Sequence, residues 1–318
     1  MKRPAVVALG GGHGLAASLG ALRHLTDRLT AVVTVADDGG SSGRLRRELG
    51  VLPPGDLRMA LSALCSDDEW GNTWRDVLQH RFASQGELHN HAVGNLLIVA
   101  LWELLGDSVQ GLDWVARLLG AKGRVLPMSS VPLDIEAAIV GADGVERTVC
   151  GQAAVASTSG HVRSVRLLPE PPPACPEAVA AVRAADWVVL GPGSWFTSVM
   201  PHLLVPELRD ALCETSARRL VTLNVGTADR ETGGYRSADL LAALSAHAPE
   251  LRVDVVLADS LSAVERDGLE AASAALGAQL VVGPVVSSHN PAVHDPLRLA
   301  AAYRDVLGRP RSTPSTAR

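Results

Sequence analysis

One stretch near the N-terminus constrains the fold of this chain more than any other. The β-branched run Val32–Val35 is followed at once by the carboxylates Asp37 and Asp38 and then by the small residues Gly39, Gly40, Ser41 and Ser42. Such a run predicts a strand buried in a parallel sheet. The small residues predict a loop whose N–H groups form an anion-binding nest, and Arg44 beyond them adds a donor suited to phosphate. Because the carboxylates suit ribose hydroxyls or a magnesium ion, the stretch predicts a nucleotide site.

A glycine-rich turn follows the first strand. The apolar run Val6–Leu9 leads into Gly10-Gly-Gly-His-Gly14 and then into a helical pattern from Leu15 to Leu25. A strand, a glycine turn and a helix predict a phosphate site at the helix N-terminus, formed here by Gly11, Gly12, His13 and Gly14. The spacing fits the looser dinucleotide fingerprint, and the missing Walker lysine argues against a P-loop ATPase. The alternative is a tight turn that binds nothing.

A second turn of the same chemistry lies in the C-terminal half. The predicted strand Trp187–Leu190 ends in Gly191, Pro192, Gly193 and Ser194, with Thr197 and Ser198 shortly after. These hydroxyl groups are suited either to cap the next helix or to donate to phosphate. Asn224 lies near the end of another predicted strand, Val221–Val225. In an open α/β sheet the carboxyl ends of the strands meet at one edge, so these loops are expected to converge there.

Four further polar residues are candidates for the walls of this site. Asp56 follows Pro53-Pro-Gly55 and is suited either to cap the next helix or to contact a ligand. Arg58 lies in the first helical turn, where the helix dipole disfavours a cation, so we expect it to have an anionic partner. His91 and Asn95 are four residues apart and would share a helix face, either as a ligand wall or satisfied by local backbone. Zinc is not favoured, because His89 and His91 have no third ligand nearby in the sequence.

The order of the predicted elements gives an α/β fold. We expect a Rossmann-like three-layer sandwich with a mostly parallel sheet. A small antiparallel β excursion is expected at about 123–170, because the runs Val131–Val140 and Val145–Cys150 flank the turn signal Gly141-Ala-Asp-Gly144. The sequence predicts one domain over residues 1–310 and a disordered tail over 311–318.

Composition excludes several classes of protein. The net charge of −5 argues against a nucleic-acid binder. The four cysteines include no CxxC pair, so neither structural zinc nor a disulfide framework is expected. The first apolar run is too short for a signal peptide and no run reaches membrane-spanning length, so we expect a cytoplasmic protein without membrane insertion.

Several motifs together resemble one family. They are Gly10-Gly-Gly-x-Gly-Leu15, Val32-Val-Thr-Val-Ala-Asp-Asp-Gly-Gly-Ser-Ser-Gly-Arg-Leu-Arg46, Pro53-Pro-Gly-Asp-Leu-Arg58, His91-x-x-Gly-Asn-Leu96, Gly123-Arg-Val-Leu-Pro127, Gly191-Pro-Gly-Ser-Trp-Phe-Thr-Ser198 and Pro201-His-Leu-Leu-Val-Pro206. The sequence resembles the YvcK-type gluconeogenesis factors within the CofD-like family, over residues 10 to about 206.

The resemblance implies a regulatory protein that binds uridine-diphosphate sugars such as UDP-N-acetylglucosamine. It also implies a link to cell shape and peptidoglycan synthesis during gluconeogenic growth. A protein partner in cell-wall synthesis and a homo-oligomer are further expectations. More distant CofD relatives are 2-phospho-L-lactate transferases that use magnesium and a guanosine-diphosphate-linked donor. This chain has His13 where many members have threonine, which replaces a hydroxyl contact to phosphate with an imidazole.

Three functions therefore compete. The first is a UDP-sugar sensor, and the second is a CofD-like transferase in which Asp37 or Asp38 holds Mg²⁺. The third, a dinucleotide-dependent oxidoreductase, lacks an acid/base pair after a nicotinamide site. A transferase needs a pocket for its deazaflavin acceptor, and the chain has few aromatic residues on which that acceptor could stack; Trp195 and Phe196 are the only adjacent pair. The sequence therefore mildly favours the sensor. Whether the protein is an enzyme stays open at this point.

Overall fold

The computed structural model of the chain describes residues 3–225, 234–260 and 263–309. The predicted tail at 311–318 lies outside these residues, and the single domain over 1–310 stays a prediction. The described strands are β1 (Val6–Gly10), β2 (Leu29–Val33), β3 (Arg124–Pro127), β4 (Asp134–Val140), β5 (Glu146–Cys150), β6 (His161–Leu168), β7 (Trp187–Leu190), β8 (Arg218–Thr222), β9 (Val255–Ala258) and β10 (Gln279–Val282).

Helices fill most of the connections between these strands. They are α1 (Gly12–Leu22), α2 (Gly40–Leu49), α3 (Gly55–Leu64), α4 (Glu69–Gln79), α5 (Val93–Leu105), α6 (Ser108–Leu118), α7 (Gln152–Ser157), α8 (Pro176–Arg183), α9 (Pro201–Leu204), α10 (Pro206–Glu214), α11 (Ser237–His247), α12 (Ala263–Ala275) and α13 (Pro296–Leu307). A π-helical turn, Trp195–Val199, precedes α9. None of these helices is long and apolar enough to cross a membrane.

The main sheet has seven parallel strands among the described residues, in the order β10-β9-β8-β7-β1-β2-β3, with helices on both faces. Strands β1, β7, β8 and β9 are buried along their whole length, as expected for central strands covered on both faces. The predicted three-layer α/β sandwich is therefore confirmed. The strand order reverses between β1 and β7, which defines the switch point of the sheet.

The predicted antiparallel excursion is also confirmed, but it is shorter than expected. Strand β4 pairs with β5 across the turn at residues 141–144 and with β6 on its other side. The expected start at residue 123 is wrong, because β3 pairs in parallel with β2 at the edge of the main sheet. A strand of four residues, such as β3, gives no local indication of the sheet that it joins, so sequence analysis assigned it to the excursion.

Strand β8 begins and ends three residues earlier than the sequence predicted. It spans Arg218–Thr222, and its first two residues are buried arginines, which the apolar pattern of the sequence did not include in the strand. The Arg219 guanidinium donates to the carbonyl oxygens of Leu212, Cys213 and Thr215, and that of Arg218 lies 4.2 Å from the Trp187 ring centroid. Asn224 consequently lies in the loop beyond the strand.

Candidate functional site

A cleft of about 310 Å³ opens at the switch point between β1 and β7. The loop after β1 and the loop after β7 face each other across it, at the carboxyl edge where open α/β sheets bind ligands. The cleft brings together many of the residues predicted from the sequence. These are Gly11, Gly12, His13, Gly14, Asp56, Pro192, Gly193, Ser194, Ser198 and Asn224.

The N-terminus of α1 points its first turn at this cleft. Helix α1 begins at Gly12, and its N-cap residue Gly11 is extended and has no side chain to cap the helix. The first-turn N–H groups of a helix have no partner within the helix, and the helix dipole favours an anion there. A Cβ atom at position 11 would lie 2.3 Å from Thr34 Oγ1 and 2.5 Å from Asp56 Oδ2, so only glycine fits.

The loop after β7 is fixed against the loop after β8. Gly193 N–H donates to Asn224 Oδ1, and Asn224 Nδ2 donates back to the Gly193 carbonyl, both at 2.8 Å. The two glycine loops also approach each other closely, because a Cβ atom on Gly14 would lie 2.3 Å from the Pro192 carbonyl oxygen. Ser194 precedes the π-helical turn but does not cap it. Thr197 and Ser198 are buried in that turn.

Beneath the cleft, one tyrosine joins three elements. Tyr303 Oη of α13 lies 2.7 Å from Ser18 Oγ of α1 and 3.1 Å from Thr222 Oγ1 of β8. Ser18 Oγ also donates to the Gly191 carbonyl at 3.1 Å. Complete burial raises the pKa of Tyr303 to about 12. These contacts join α13 to α1 and β8 and fix Gly191, the first residue of the second glycine loop.

Asp56 lies in the cleft and does not cap α3, so the capping alternative is wrong. The N-cap residue of α3 is Pro54, and Asp56 is in the first turn. Its carboxylate accepts a hydrogen bond from Thr34 Oγ1 at 3.3 Å and another from the Gly12 N–H. Burial first, and then the negative charge of Asp37, raise the pKa of Asp56 to about 6. The carboxyl group is therefore able to take up a proton just below neutral pH.

The predicted glycine–serine loop is the beginning of a helix. Helix α2 starts at Gly40 with Gly39 as its N-cap residue, so Ser41 and Ser42 occupy its first turn and are buried. Asp37 Oδ1 accepts from the Gly39 N–H at 2.9 Å. Gly and Ser favour turns over helices in isolation, and tertiary packing overrides that preference here.

Asp38 and Arg44 have structural contacts away from the cleft. Asp38 Oδ1 accepts from the Ala153 N–H at 2.9 Å, which caps helix α7 of the excursion. The Arg44 guanidinium donates to the carbonyl oxygens of Glu87 and His89 at 3.3 and 2.8 Å. Neither residue is among those that line the cleft.

Four more predicted residues form a buried network behind α2. Ser41 Oγ lies 3.0 Å from His91 Nδ1 and accepts from Asn95 Nδ2 at 3.0 Å. Arg58 donates from Nε to Asn95 Oδ1 at 2.9 Å and also donates to Gln79 Oε1. The hydrogen-bond partners of Arg58 are thus two neutral amides, while the negative charges of Asp56 and Asp37 act on it without an ion-pair contact among the described residues. Burial lowers the pKa of Arg58 to about 10 and also lowers the pKa of His91.

The cleft has walls that the sequence did not predict. Gln152, the first residue of α7, lines it, and so do Ala292, Val293 and His294 ahead of α13. The only feature of the sequence near residues 292–294 that we interpreted was the predicted helix start at Asp295-Pro296. The structure confirms it, because Asp295 is the N-cap residue and Pro296 the first residue of α13. No group of three or more His, Cys, Asp or Glu residues in the described chain is arranged to hold a metal ion.

Comparison with known proteins gives consistent matches over most of the chain. The family model described as "2-phospho-L-lactate transferase CofD" matches residues 6–284. A putative gluconeogenesis factor of Mycobacterium tuberculosis H37Rv is 52% identical over 310 residues, which cover 96% of this chain and 90% of that protein. The gluconeogenesis factor of Bacillus subtilis 168 is 38% identical over 259 residues, covering 81% of this chain and 80% of that protein.

A solved structure agrees in fold. The crystal structure of a UPF0052 family member from Bacillus halodurans superposes with a TM-score of 0.84 at 34% identity. The superposition covers 95% of this chain and 99% of the other. The likeness therefore includes the main sheet, the excursion and the C-terminal helix.

Proposed function

This chain belongs to the CofD family, with gluconeogenesis factors among its relatives, and from that premise we propose that it is a cytoplasmic regulatory protein that binds a nucleotide-diphosphate sugar. UDP-N-acetylglucosamine is the ligand we expect. The single observation that carries the proposal is the N-terminus of α1, whose N-cap residue Gly11 has no side chain and which faces the second glycine loop across the cleft.

The chemistry of the cleft supports a diphosphate ligand. The first turn of α1 supplies N–H groups and the positive end of a dipole, and His13 adds a side-chain donor at the same place. Glycines at positions 11 and 14 let Asp56 and the second glycine loop pack directly against the first turn of α1. A cleft of about 310 Å³ lies at the lower end of the range for small-molecule sites.

A regulatory role is supported by the position of the aromatic residues. Trp195 and Phe196 are fully buried, so neither presents a face on which a deazaflavin acceptor would stack. The cleft therefore has groups suited to bind phosphates, but Trp195 and Phe196 offer no surface on which an acceptor could stack. We infer that ligand occupancy is passed to a protein partner in cell-wall synthesis, which would connect the protein to cell shape and peptidoglycan during gluconeogenic growth.

The experiment that tests the proposal is a thermal-shift panel of ligands, and calorimetry then measures the affinity of those that bind. A ligand that binds the native state raises the melting temperature by mass action, so the ranking of ligands identifies the nucleotide. The panel contains UDP-N-acetylglucosamine, UDP-glucose, GDP, GTP and NAD, each with and without Mg²⁺. We expect a shift with the uridine ligands that does not require Mg²⁺. A shift with NAD alone, or with none of the ligands, would contradict the proposal.

One observation favours a second candidate, a Mg²⁺-dependent transferase of the CofD type. Asp37 raises the pKa of Asp56 through charge repulsion, so its carboxylate lies close enough to interact with that of Asp56, which lines the cleft. Magnesium is usually held by one or two carboxylates together with substrate phosphates, and this pair fits that pattern. Asp37 and Asp56 would hold the ion, which would neutralise charge on a phosphate group. The sequence proposed Asp37 or Asp38 for this role, but the Asp38 carboxylate caps α7.

Two matched variants separate the candidates. In a transferase, Asp37→Asn should abolish Mg²⁺-dependent ligand binding or turnover, whereas Asp38→Asn should leave the Mg²⁺ dependence intact. If the protein is the sensor, the wild type should bind its ligand equally well with and without Mg²⁺, and Asp37→Asn should keep that affinity. A guanosine ligand that binds only with Mg²⁺ would establish the second candidate in place of the first.

A further inference from the structure

The two ends of the cleft differ in chemistry. One, the β2 end, is lined by Asp56 and Gln152 beside the residues that follow β2, and the other, the β8 end, is lined by Val225, Ala292 and Val293. Strands β2 and β8 are separated by β1 and β7, so they lie about 14 Å apart, because neighbouring strands are about 4.8 Å apart. The proposed diphosphate site follows β1 and β7, and it therefore lies in the middle of an elongated ligand site.

Gln152 is held at the β2 end through its neighbours in the chain. The Asp38 carboxylate accepts from the Ala153 N–H at 2.9 Å. On the other side, the Gly151 N–H donates to the Ile135 carbonyl of β4 at 2.8 Å. Gly151 has a φ of +95°, and a Cβ atom on it would lie 2.2 Å from Asp38 Oδ2, so only glycine fits there. Because the backbone is fixed on both sides, the side chain of Gln152 starts from a defined position.

The side-chain amide of Gln152 is available to a ligand. Gln152 is partly exposed and lines the cleft, and its amide makes no hydrogen bond within the part of the chain that the structure describes. The amide offers N–H donors and a carbonyl acceptor side by side. Sugar hydroxyl and acetamido groups, like the polar edge of a base, both donate and accept, whereas ionised phosphate oxygens only accept. A sugar or a base therefore matches Gln152 better than a phosphate does.

The β8 end decides between the sugar and the base. Its lining residues Val225, Ala292 and Val293 are apolar. Their segment ahead of α13 is held by Asp259, beyond β9, which accepts from the Val285 N–H at 2.8 Å. Apolar walls suit the faces of a pyrimidine ring, whereas sugar hydroxyls placed there would lose their hydrogen bonds to water. The base therefore fits the β8 end, which leaves the β2 end for the sugar.

We propose that the sugar of the bound nucleotide lies at the β2 end, where its hydroxyl and acetamido groups hydrogen-bond to the Gln152 amide, and that the base lies at the β8 end. This inference rests on the proposed function and adds the direction in which the ligand lies. It makes Gln152 a residue that selects the sugar. The antiparallel excursion thereby contributes to the site, because Gln152 is the first residue of α7, between β5 and β6.

The first test measures the affinities of Gln152→Ala for UDP-N-acetylglucosamine and for UDP by calorimetry. We expect the variant to bind UDP-N-acetylglucosamine about 10-fold more weakly than the wild type and to bind UDP equally well. Alanine is a good helix former, so α7 should be retained. The matched control is Gln110→Ala, at an exposed glutamine of α6, which should bind both ligands as the wild type does.

The second test addresses the opposite end of the cleft. Val293→Ala removes apolar contact area from the β8 end, so it should weaken the binding of UDP and of UDP-N-acetylglucosamine by the same factor. A loss confined to UDP-N-acetylglucosamine would place the sugar at the β8 end and overturn the proposed direction.

A third measurement uses the wild-type protein. The side-chain amide resonances of Gln152 in a ¹⁵N NMR spectrum are those that are missing from Gln152→Ala. They should move much further on addition of UDP-N-acetylglucosamine than on addition of UDP. Equal movement with the two ligands, or none, would contradict a contact between Gln152 and the sugar.

The outcomes separate this inference from the proposed function. If Gln152→Ala loses affinity for UDP and UDP-N-acetylglucosamine alike, or for neither, the role of Gln152 in selecting the sugar is wrong and the proposed function stands. Failure of the wild-type protein to bind any sugar nucleotide would overturn the proposed function, and this inference with it.

Discussion

Asn224 and Gly193 exchange two hydrogen bonds of 2.8 Å that run in opposite directions across the carboxyl edge of the sheet. The pair joins the loop after β7 to the loop after β8, two residues beyond the last residue of β8. Gly193 has a φ of +141°, which side-chain-bearing residues rarely adopt. Because glycine also has more backbone freedom than any other residue, the two hydrogen bonds are needed to fix the loop. The second glycine loop is thus ordered by a side chain from another strand.

We expect Asn224→Ala to weaken ligand binding more than it weakens the fold. The loss of two hydrogen bonds should lower the free energy of unfolding by about 1–3 kcal/mol, because each contributes about 0.5–1.5 kcal/mol. The freed loop should lower the affinity for UDP-N-acetylglucosamine about 10-fold or more. Urea unfolding and calorimetry measure the two effects. An affinity equal to that of the wild type would show that this loop does not need to be fixed for binding.

Gly14 and Gly20 provide a matched pair within helix α1. A Cβ atom on Gly14 would lie 2.3 Å from the Pro192 carbonyl oxygen, whereas a Cβ atom on Gly20 would have no heavy atom within 4 Å. Gly14→Ala should force the two loops apart, lower the stability and abolish measurable ligand binding. Gly20→Ala should raise the stability by about 0.5–1 kcal/mol through helix propensity and bind normally. Similar melting temperatures for the two variants would contradict the close packing of the loops.

The parts of this structure that the sequence predicted carry local signals. The hairpin turn at residues 141–144 has a turn composition between two apolar runs, and Asp295-Pro296 has the cap and proline of a helix start. The convergence of the two glycine loops follows from a general rule for parallel sheets, because both follow buried strands at the carboxyl edge. Which of the predicted residues bind a ligand stays a prediction.

The parts that were missed depend on contacts between residues distant in sequence. Helix α2 begins at Gly40 although glycine and serine favour turns, because Ser41 is buried and bonded to His91 and Asn95. His294 lines the cleft in a segment whose start is held by Asp259, which accepts a hydrogen bond from the Val285 N–H. Neither contact leaves a periodic or compositional trace in the sequence.

The buried network behind α2 should contribute stability and leave binding unchanged. Asn95→Ala removes the acceptor for Arg58 Nε and the donor to Ser41 Oγ, and it leaves a buried guanidinium nitrogen without its partner. We expect a loss of about 2–4 kcal/mol in the free energy of unfolding, since bonds to charged groups contribute more than neutral ones. The affinity for UDP-N-acetylglucosamine should change less than twofold, because Asn95 does not line the cleft. Gln110→Ala, at an exposed residue of α6, is the control and should be nearly neutral.

Asp56 should make the protein less stable as the pH rises from about 4 to about 6. Its pKa is about 6 in the folded protein against an ordinary value of 3.8, so between these two values the folded state binds the proton more tightly than the unfolded state does. Stability therefore falls with rising pH across this window and levels off above pH 6, by a total of roughly 3 kcal/mol. Urea unfolding at half-unit pH steps measures the slope.

The matched variants for this slope are Asp56→Asn and, as an exposed control, Asp76→Asn. Asp56→Asn has no carboxyl group to titrate, so its stability should show less of the decline between pH 4 and pH 6, whereas Asp76→Asn should follow the wild type. Protonation of Asp56 also removes a negative charge beside the Gly12 N–H in the cleft. Wild-type affinity for UDP-N-acetylglucosamine should therefore rise as the pH is lowered from 7.5 to 5.5, and the rise should be smaller in Asp56→Asn. A wild-type slope that Asp56→Asn reproduces in full would assign the titration to another group.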